Sequence, residues 1–169
     1  MDETRKLLTH YLGAIAYRTQ KALRGAPDRF GEFRAQQGSR TPAELIRHMT
    51  SVLGYTRTFF VGGEYRPEPL PRIEEETSRF HEMLESLRAH FNRGAFERIT
   101  PFRLLQGPLS DVMSHAGQLA YLRRLAGSPI PPEDFIYAEI SGENVGSNQA
   151  EPVAPDDVWT IPEEDLAAR

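Results

Sequence analysis

Thr41-Pro42-Ala43-Glu44-Leu45-Ile46-Arg47-His48-Met49 opens on a helix start signal and runs straight into an apolar stripe. Threonine three residues ahead of glutamate is a capping box. The hydroxyl takes one free backbone N–H of the first turn, and the carboxylate reaches back to another. Pro42 suits the first helical turn, where its missing N–H costs nothing. Leu45, Met49, Val52, Thr56 and Phe59 then form one stripe, with Ile46, Leu53 and Phe60 beside it, and Gly62-Gly63 closes the pattern. The segment reads as a helix ending near residue 61. One imidazole interrupts its apolar face: His48, three residues after Leu45 and four before Val52.

Three further helical patterns flank this one, and no strand-like alternation competes with them. The first runs from about Asp2 to Leu23, with Leu8, Tyr11, Ile15, Thr19 and Ala22 at helical spacing, and Gly25-Ala26-Pro27 ends it. The third covers about Arg72 to Arg93, where Ile73, Thr77, Phe80, Leu84, Leu87 and Phe91 make a narrow seam suited to bundle packing. Thr100-Pro101 and Gly107-Pro108 bracket a short turn of helix, Phe102 to Leu105. A last long helix runs from near Pro108 to Ala126, with Leu109, Val112, Ala116, Leu119, Leu122 and Ala126 facing inward. The fold class expected is all-α: a four-helix bundle over residues 1–130, followed by a long, mostly irregular C-terminal tail over residues 131–169. Phe135, Ile140, Val145 and Trp159 are the apolar anchors by which part of that tail would wrap the bundle. Gly142-Glu143-Asn144-Val145-Gly146 lacks the lysine and the following helix of a phosphate loop and reads as a turn.

At 169 residues the chain is long enough for one domain with a sizeable core. Its formal charge of -4 argues against a general nucleic-acid binder, whose footprint would be a clustered basic surface. With no cysteine, disulfides, thiolate metal sites and a cysteine nucleophile are excluded, and any metal must be held by nitrogen and oxygen. The N-terminal stretch begins with acids and lacks the apolar run of a signal peptide. No segment approaches the roughly 20 apolar residues needed to span a bilayer. The expected setting is cytoplasmic, with no membrane partner and no nucleic acid.

The chemistry-bearing residues sit on two helices. His115 stands to Val112 and Leu119 as His48 stands to Leu45 and Val52, and Asp111 lies one turn before His115 on the same side. Asp111 also has a plain explanation as a first-turn acid favoured by the helix dipole. Each histidine alone could be a core-edge group bonded to a carbonyl. Three polar groups at core-edge positions nevertheless need a shared partner, because burying them unpaired costs several kcal/mol. A divalent cation held by His48, Asp111 and His115 meets that need, and so does a hydrogen-bonded triad without metal. His10 falls on a flank, His81 pairs with Glu85 four residues on and reads as solvated, and His90 lies near an exposed helix end. Glu44, one turn before His48, is accounted for by its cap.

Gly107-Pro-Leu-Ser-Asp111-Val-Met-Ser-His115-Ala-Gly-Gln118-Leu-Ala-Tyr-Leu-Arg123-Arg-Leu-Ala-Gly-Ser-Pro129 resembles the last helix of the DinB-like (DinB/YfiT) superfamily, above all in His-x-Gly-Gln followed by Leu-Arg-Arg-x-x-Gly. Thr41 to Met49 is similar to that family's second helix. The resemblance extends over residues 1 to about 130, and the Phe135 to Gly146 region is similar to a subgroup. It implies a four-helix bundle with a long crossover, a common homodimer, and a divalent metal, often nickel or zinc, on three histidines. Two of those positions correspond to His48 and His115. The third is Asp111 here, a departure that leaves a two-histidine, one-carboxylate set also suited to iron or manganese.

The expected activity is that of a metal-dependent enzyme of thiol-transferase or hydrolase type acting on a small-molecule substrate. The sulfur would come from a low-molecular-weight thiol, since the chain has none to offer as a thiolate. Gln118 and Arg123 are candidates to orient the bound group and to bind an anionic substrate. The competing expectation is a non-catalytic, stress-related or ligand-binding bundle with a vestigial metal site.

Overall fold

The structure, a computed structural model, describes residues 2–152. It contains α1 (Glu3–Leu23), a 3-10 turn (Phe30–Glu32), α2 (Pro42–Val61), α3 (Ile73–Arg93), α4 (Pro101–Leu104), a π-helical turn (Leu105–Leu109) and α5 (Ser110–Leu125). Among the described residues there is no β-strand, so the class is all-α as the apolar periodicity implies. No helix among them is long and apolar enough to cross a membrane.

The four long helices each pack against two others: α1 on α3 and α5, α2 on α3 and α5. The faces that meet are the stripes visible in the sequence. Leu8, Leu12 and Ile15 of α1, Leu45, Ile46, Met49 and Leu53 of α2, Phe80, Leu84, Leu87 and Phe91 of α3, and Val112, Ala116 and Leu119 of α5 form one apolar cluster, all but excluded from water. Each of these Leu, Ile, Met, Phe and Val side chains contributes about 1.5–3 kcal/mol by leaving water. The α2 start forms as its residues dictate. Thr41 Oγ1 accepts from the Glu44 N–H at 3.2 Å, and Glu44 Oε2 accepts from the Thr41 N–H at 2.8 Å. Gly54 lets the Tyr65 ring lie against α2, since a Cβ there would stand 2.0 Å from the ring.

The segment before α5 differs from the sequence reading. Gly107-Pro108 does not interrupt the helix. α4 starts at Pro101 under a Thr100 cap and passes through the π turn into α5 without a break. Proline lacks an N–H, and its ring clashes with the carbonyl four residues earlier. Widening one turn to the π spacing relieves that clash. Ser110 Oγ then donates to the Leu105 carbonyl at 2.5 Å, occupying an acceptor in the widened turn. The extra residue in this turn rotates everything after it by one position, and this sets the direction in which Asp111 and His115 point.

Residues 128–152 lie against the helices as an irregular strap. Val145 is buried in the main cluster, whereas Phe135 and Ile140 are only half-buried. Trp159 lies outside the described residues. The strap crosses α1 at two glycines. A Cβ on Gly13 would meet the Ser141 carbonyl oxygen at 2.2 Å, and one on Gly142 would meet the backbone of Thr9 and His10 at 2.9 Å. Its strongest tie is polar. Glu133, fully buried, accepts from Lys21 Nζ and from the Tyr17 hydroxyl, both at 2.6 Å. Burial and the carboxylate beside it push the Tyr17 phenol above its usual range. The Phe135 ring lies over this corner, 3.6 Å from the Arg18 guanidinium.

Candidate metal centre

His48 comes from the first third of α2 and is half-buried, and His115 comes from α5 and is buried. The two rings meet edge to face with centroids 4.8 Å apart. His115 Nε2 lies 3.3 Å from Asp111 Oδ1, one turn earlier on α5. One ligand atom from each of His48, Asp111 and His115 can be chosen so that all lie within 4.8 Å of one another. The three residues are therefore brought together by two helices that pack directly on each other, and together they could hold a metal ion.

The donor set fits a divalent cation. Metal–ligand bonds of about 2.0–2.1 Å at tetrahedral angles place neighbouring donors about 3.4 Å apart. The Asp111–His115 separation of 3.3 Å is close to that value. His115 Nδ1 sits 3.1 Å from Gln118 Oε1, an oxygen that can only accept. The ring proton therefore belongs on Nδ1. In the neutral imidazole this leaves the Nε2 lone pair facing the Asp111 oxygen, an arrangement that a proton or a metal cation between them would satisfy. Gln118 is placed where the outer hydrogen-bond partner of a ligating histidine would stand. At His48, burial chiefly, with the Arg40 and His115 charges behind it and Asp111 opposing, lowers the imidazole below its usual value. It is thus held in the neutral form that binds metal at neutral pH. Asp111 is half-exposed, so its side of the site is open to water.

A cavity of about 770 Å³ adjoins the centre, lined by Arg40, Leu45, Gln118, Tyr121, Leu122 and Leu125 among others. Gln118 belongs to both, as wall of the cavity and partner of His115. The structure gives Arg123 a different part from the substrate contact read in the sequence. It is buried, and its guanidinium donates to the carbonyls of Ala22, Arg24, Gly25 and Ser128 and to the Ser128 hydroxyl. All five donors are engaged. Arg123 closes the open C-terminal carbonyls of α1 and holds them to the end of α5, leaving no donor for a substrate. Periodicity gives no warning of this, because the Ala22, Arg24 and Gly25 acceptors lie about 100 residues away and the Ser128 acceptors lie in the turn beyond α5.

His81 is the second correction. It is buried, not solvated, and its Nδ1 donates to the Val145 carbonyl at 2.8 Å. Its Nε2 has no hydrogen-bond partner among the described residues. Burial lowers its pKa, against the partial opposition of the Val145 bond. His90, stacked on Phe60, is lowered by burial as well. A histidine whose folded pKa lies below its unfolded value binds fewer protons when folded. Its contribution is whole above about pH 6.5 and is lost as pH falls through the folded pKa. The melting temperature, measured in chelator, is expected to fall from about pH 7.5 to 5.5, and His81→Gln to flatten that slope. An unchanged slope in the variant would remove His81 as its source.

Comparison with protein-family models, with curated proteins and with solved structures finds no match to this chain.

Proposed function

We propose that the chain is a divalent-metal-dependent enzyme of thiol-transferase or hydrolase type, built on a DinB-like four-helix bundle. The observation that carries this reading is the convergence of His48, Asp111 and His115, with Gln118 holding His115 in the metal-binding tautomer. Nickel or zinc suits two imidazoles and one carboxylate, and iron or manganese is the other pair such a set accommodates. A bound divalent ion supplies Lewis acidity, lowering the pKa of a water or thiol to give a nucleophile near neutral pH. The chain's own residues supply the rest. His48 and His115 offer neutral nitrogen donors, and Asp111 adds one negative charge on the open side. With no cysteine in the chain, a reacting sulfur would be that of a small thiol cosubstrate. The same reading carries a small-molecule substrate, a homodimer and a cytoplasmic setting.

The second reading is a non-catalytic ligand-binding bundle. It draws on the fact that a protonated His115 could donate to Gln118 and Asp111 at once, satisfying the group with no metal. Melting with and without chelator separates the two. A metal present at about a hundred times its dissociation constant stabilises by about 2.7 kcal/mol. Chelation should then lower the melting temperature by roughly 5–10 °C for a domain of this size. Identical melting curves would favour the second reading.

A further inference from the structure

The cavity beside the triad is lined by one cationic and several apolar side chains. The cation is Arg40, an exposed guanidinium that makes no hydrogen bond and no ion pair among the described residues. Most other arginines of the chain are committed: Arg34 to Glu44, Arg47 and Arg79 to Glu76, Arg88 to Glu85 and Glu143, Arg123 to backbone carbonyls. The apolar part of the lining is Leu45, Tyr121, Leu122 and Leu125. Tyr121 and Leu125 are 59% and 47% exposed, large apolar side chains open to water on consecutive turns of α5. Isolated exposed apolar residues are ordinary, but these line a concave surface whose volume falls in the range of small-molecule sites.

We infer that this cavity binds a small amphipathic carboxylate, its anionic head on Arg40 and its apolar body against Tyr121, Leu122 and Leu125. A guanidinium is suited to such a head because its fixed fork of donors matches a planar carboxylate. The apolar wall gives the body a place to leave water. Gln118 faces the same space while holding His115, so a molecule seated here lies next to the metal-binding group. The inference deepens the enzyme reading by naming the class of one reactant, and it rests on that reading for its catalytic meaning.

The test uses octanoate and its uncharged analogue octanamide, added to the full-length protein in chelator and followed by amide chemical shifts. Octanoate is expected to shift residues 36–40 and 118–125 and to bind roughly tenfold more tightly than octanamide, the value of one charge-assisted contact. Arg40→Gln should remove that preference, Arg40→Lys should restore part of it, and Leu125→Ser should weaken both ligands alike. Both Arg40 and Leu125 are exposed, and an unchanged melting curve shows that the fold survives. Equal binding of the two ligands, a preference that persists in Arg40→Gln, shifts confined to other regions, or no shifts at all would each overturn the inference. Because chelator is present, the result is independent of the metal. If the carboxylate binds but the triad takes no metal, the enzyme reading fails while the ligand class stands. If metal binds but octanoate does not, the ligand class fails alone.

Discussion

His115→Ala is expected to reduce the metal content of protein purified without a nickel column from about one ion per chain to a small fraction of that. His115 stands at the middle of the group. Its Nε2 faces Asp111, its Nδ1 is held by Gln118, and its ring touches that of His48. Without it, His48 and a half-exposed carboxylate remain on different helices, too few donors to compete with buffer and water. Gln118→Leu should have an intermediate effect. Loss of the outer partner of a ligating histidine typically weakens metal affinity about 10–100-fold. His81→Gln serves as control, since His81 bonds to the strap and belongs to no metal-ligating group. Elemental analysis and a competition titration with a chelating dye read both effects. Metal content that ignores His115→Ala would end the enzyme reading, whatever the affinity.

Lys21→Met should be the most destabilising single change on the strap, by about 3–5 kcal/mol, because it leaves the Glu133 carboxylate buried without its cation. Lys21 Nζ and the Tyr17 hydroxyl are its only hydrogen-bond donors among the described residues. The carboxylate can recover hydration only if the strap lifts from α1, so residues 133–149 should lose hydrogen-exchange protection before the helices do. Removing both charges tells a different story. Lys21→Met with Glu133→Leu replaces the pair by apolar groups of similar size and should recover most of the loss, since desolvating an ion pair offsets much of its attraction. Urea unfolding of the two variants measures both. A single variant within about 1 kcal/mol of the parent would mean that water reaches Glu133 in solution.

The helices were legible because each carries its own evidence. The α2 cap, the α3 seam and the glycine stops are local patterns, and the structure follows them to within a residue or two. His48, Asp111 and His115 were legible for a related reason: each is polar at a spacing that otherwise marks the core. What escaped were partnerships made across the chain. His81 was assigned to solvent because Glu85 is near in sequence, whereas its partner is a strap carbonyl 64 residues on. Arg123 looked available because its acceptors are backbone oxygens, which no side-chain pattern announces. Glu133 carries no local signal either, because its partners Tyr17 and Lys21 stand more than 100 residues earlier. Arg40 carries no signal in the sequence, because a lone loop arginine gains a role only when a cavity forms beside it.

The π turn makes the site a matter of counting. In an α-helix each residue advances the direction of the next side chain by about 100°. One residue fewer between Pro101 and Ser110 would let the segment wind as plain α-helix and swing Asp111 and His115 about a quarter-turn away from His48. Every helix would still form and the stripes would still be apolar, yet the three donors would no longer meet. The chemistry of this molecule is therefore encoded partly in a length, which no inspection of individual side chains would reveal.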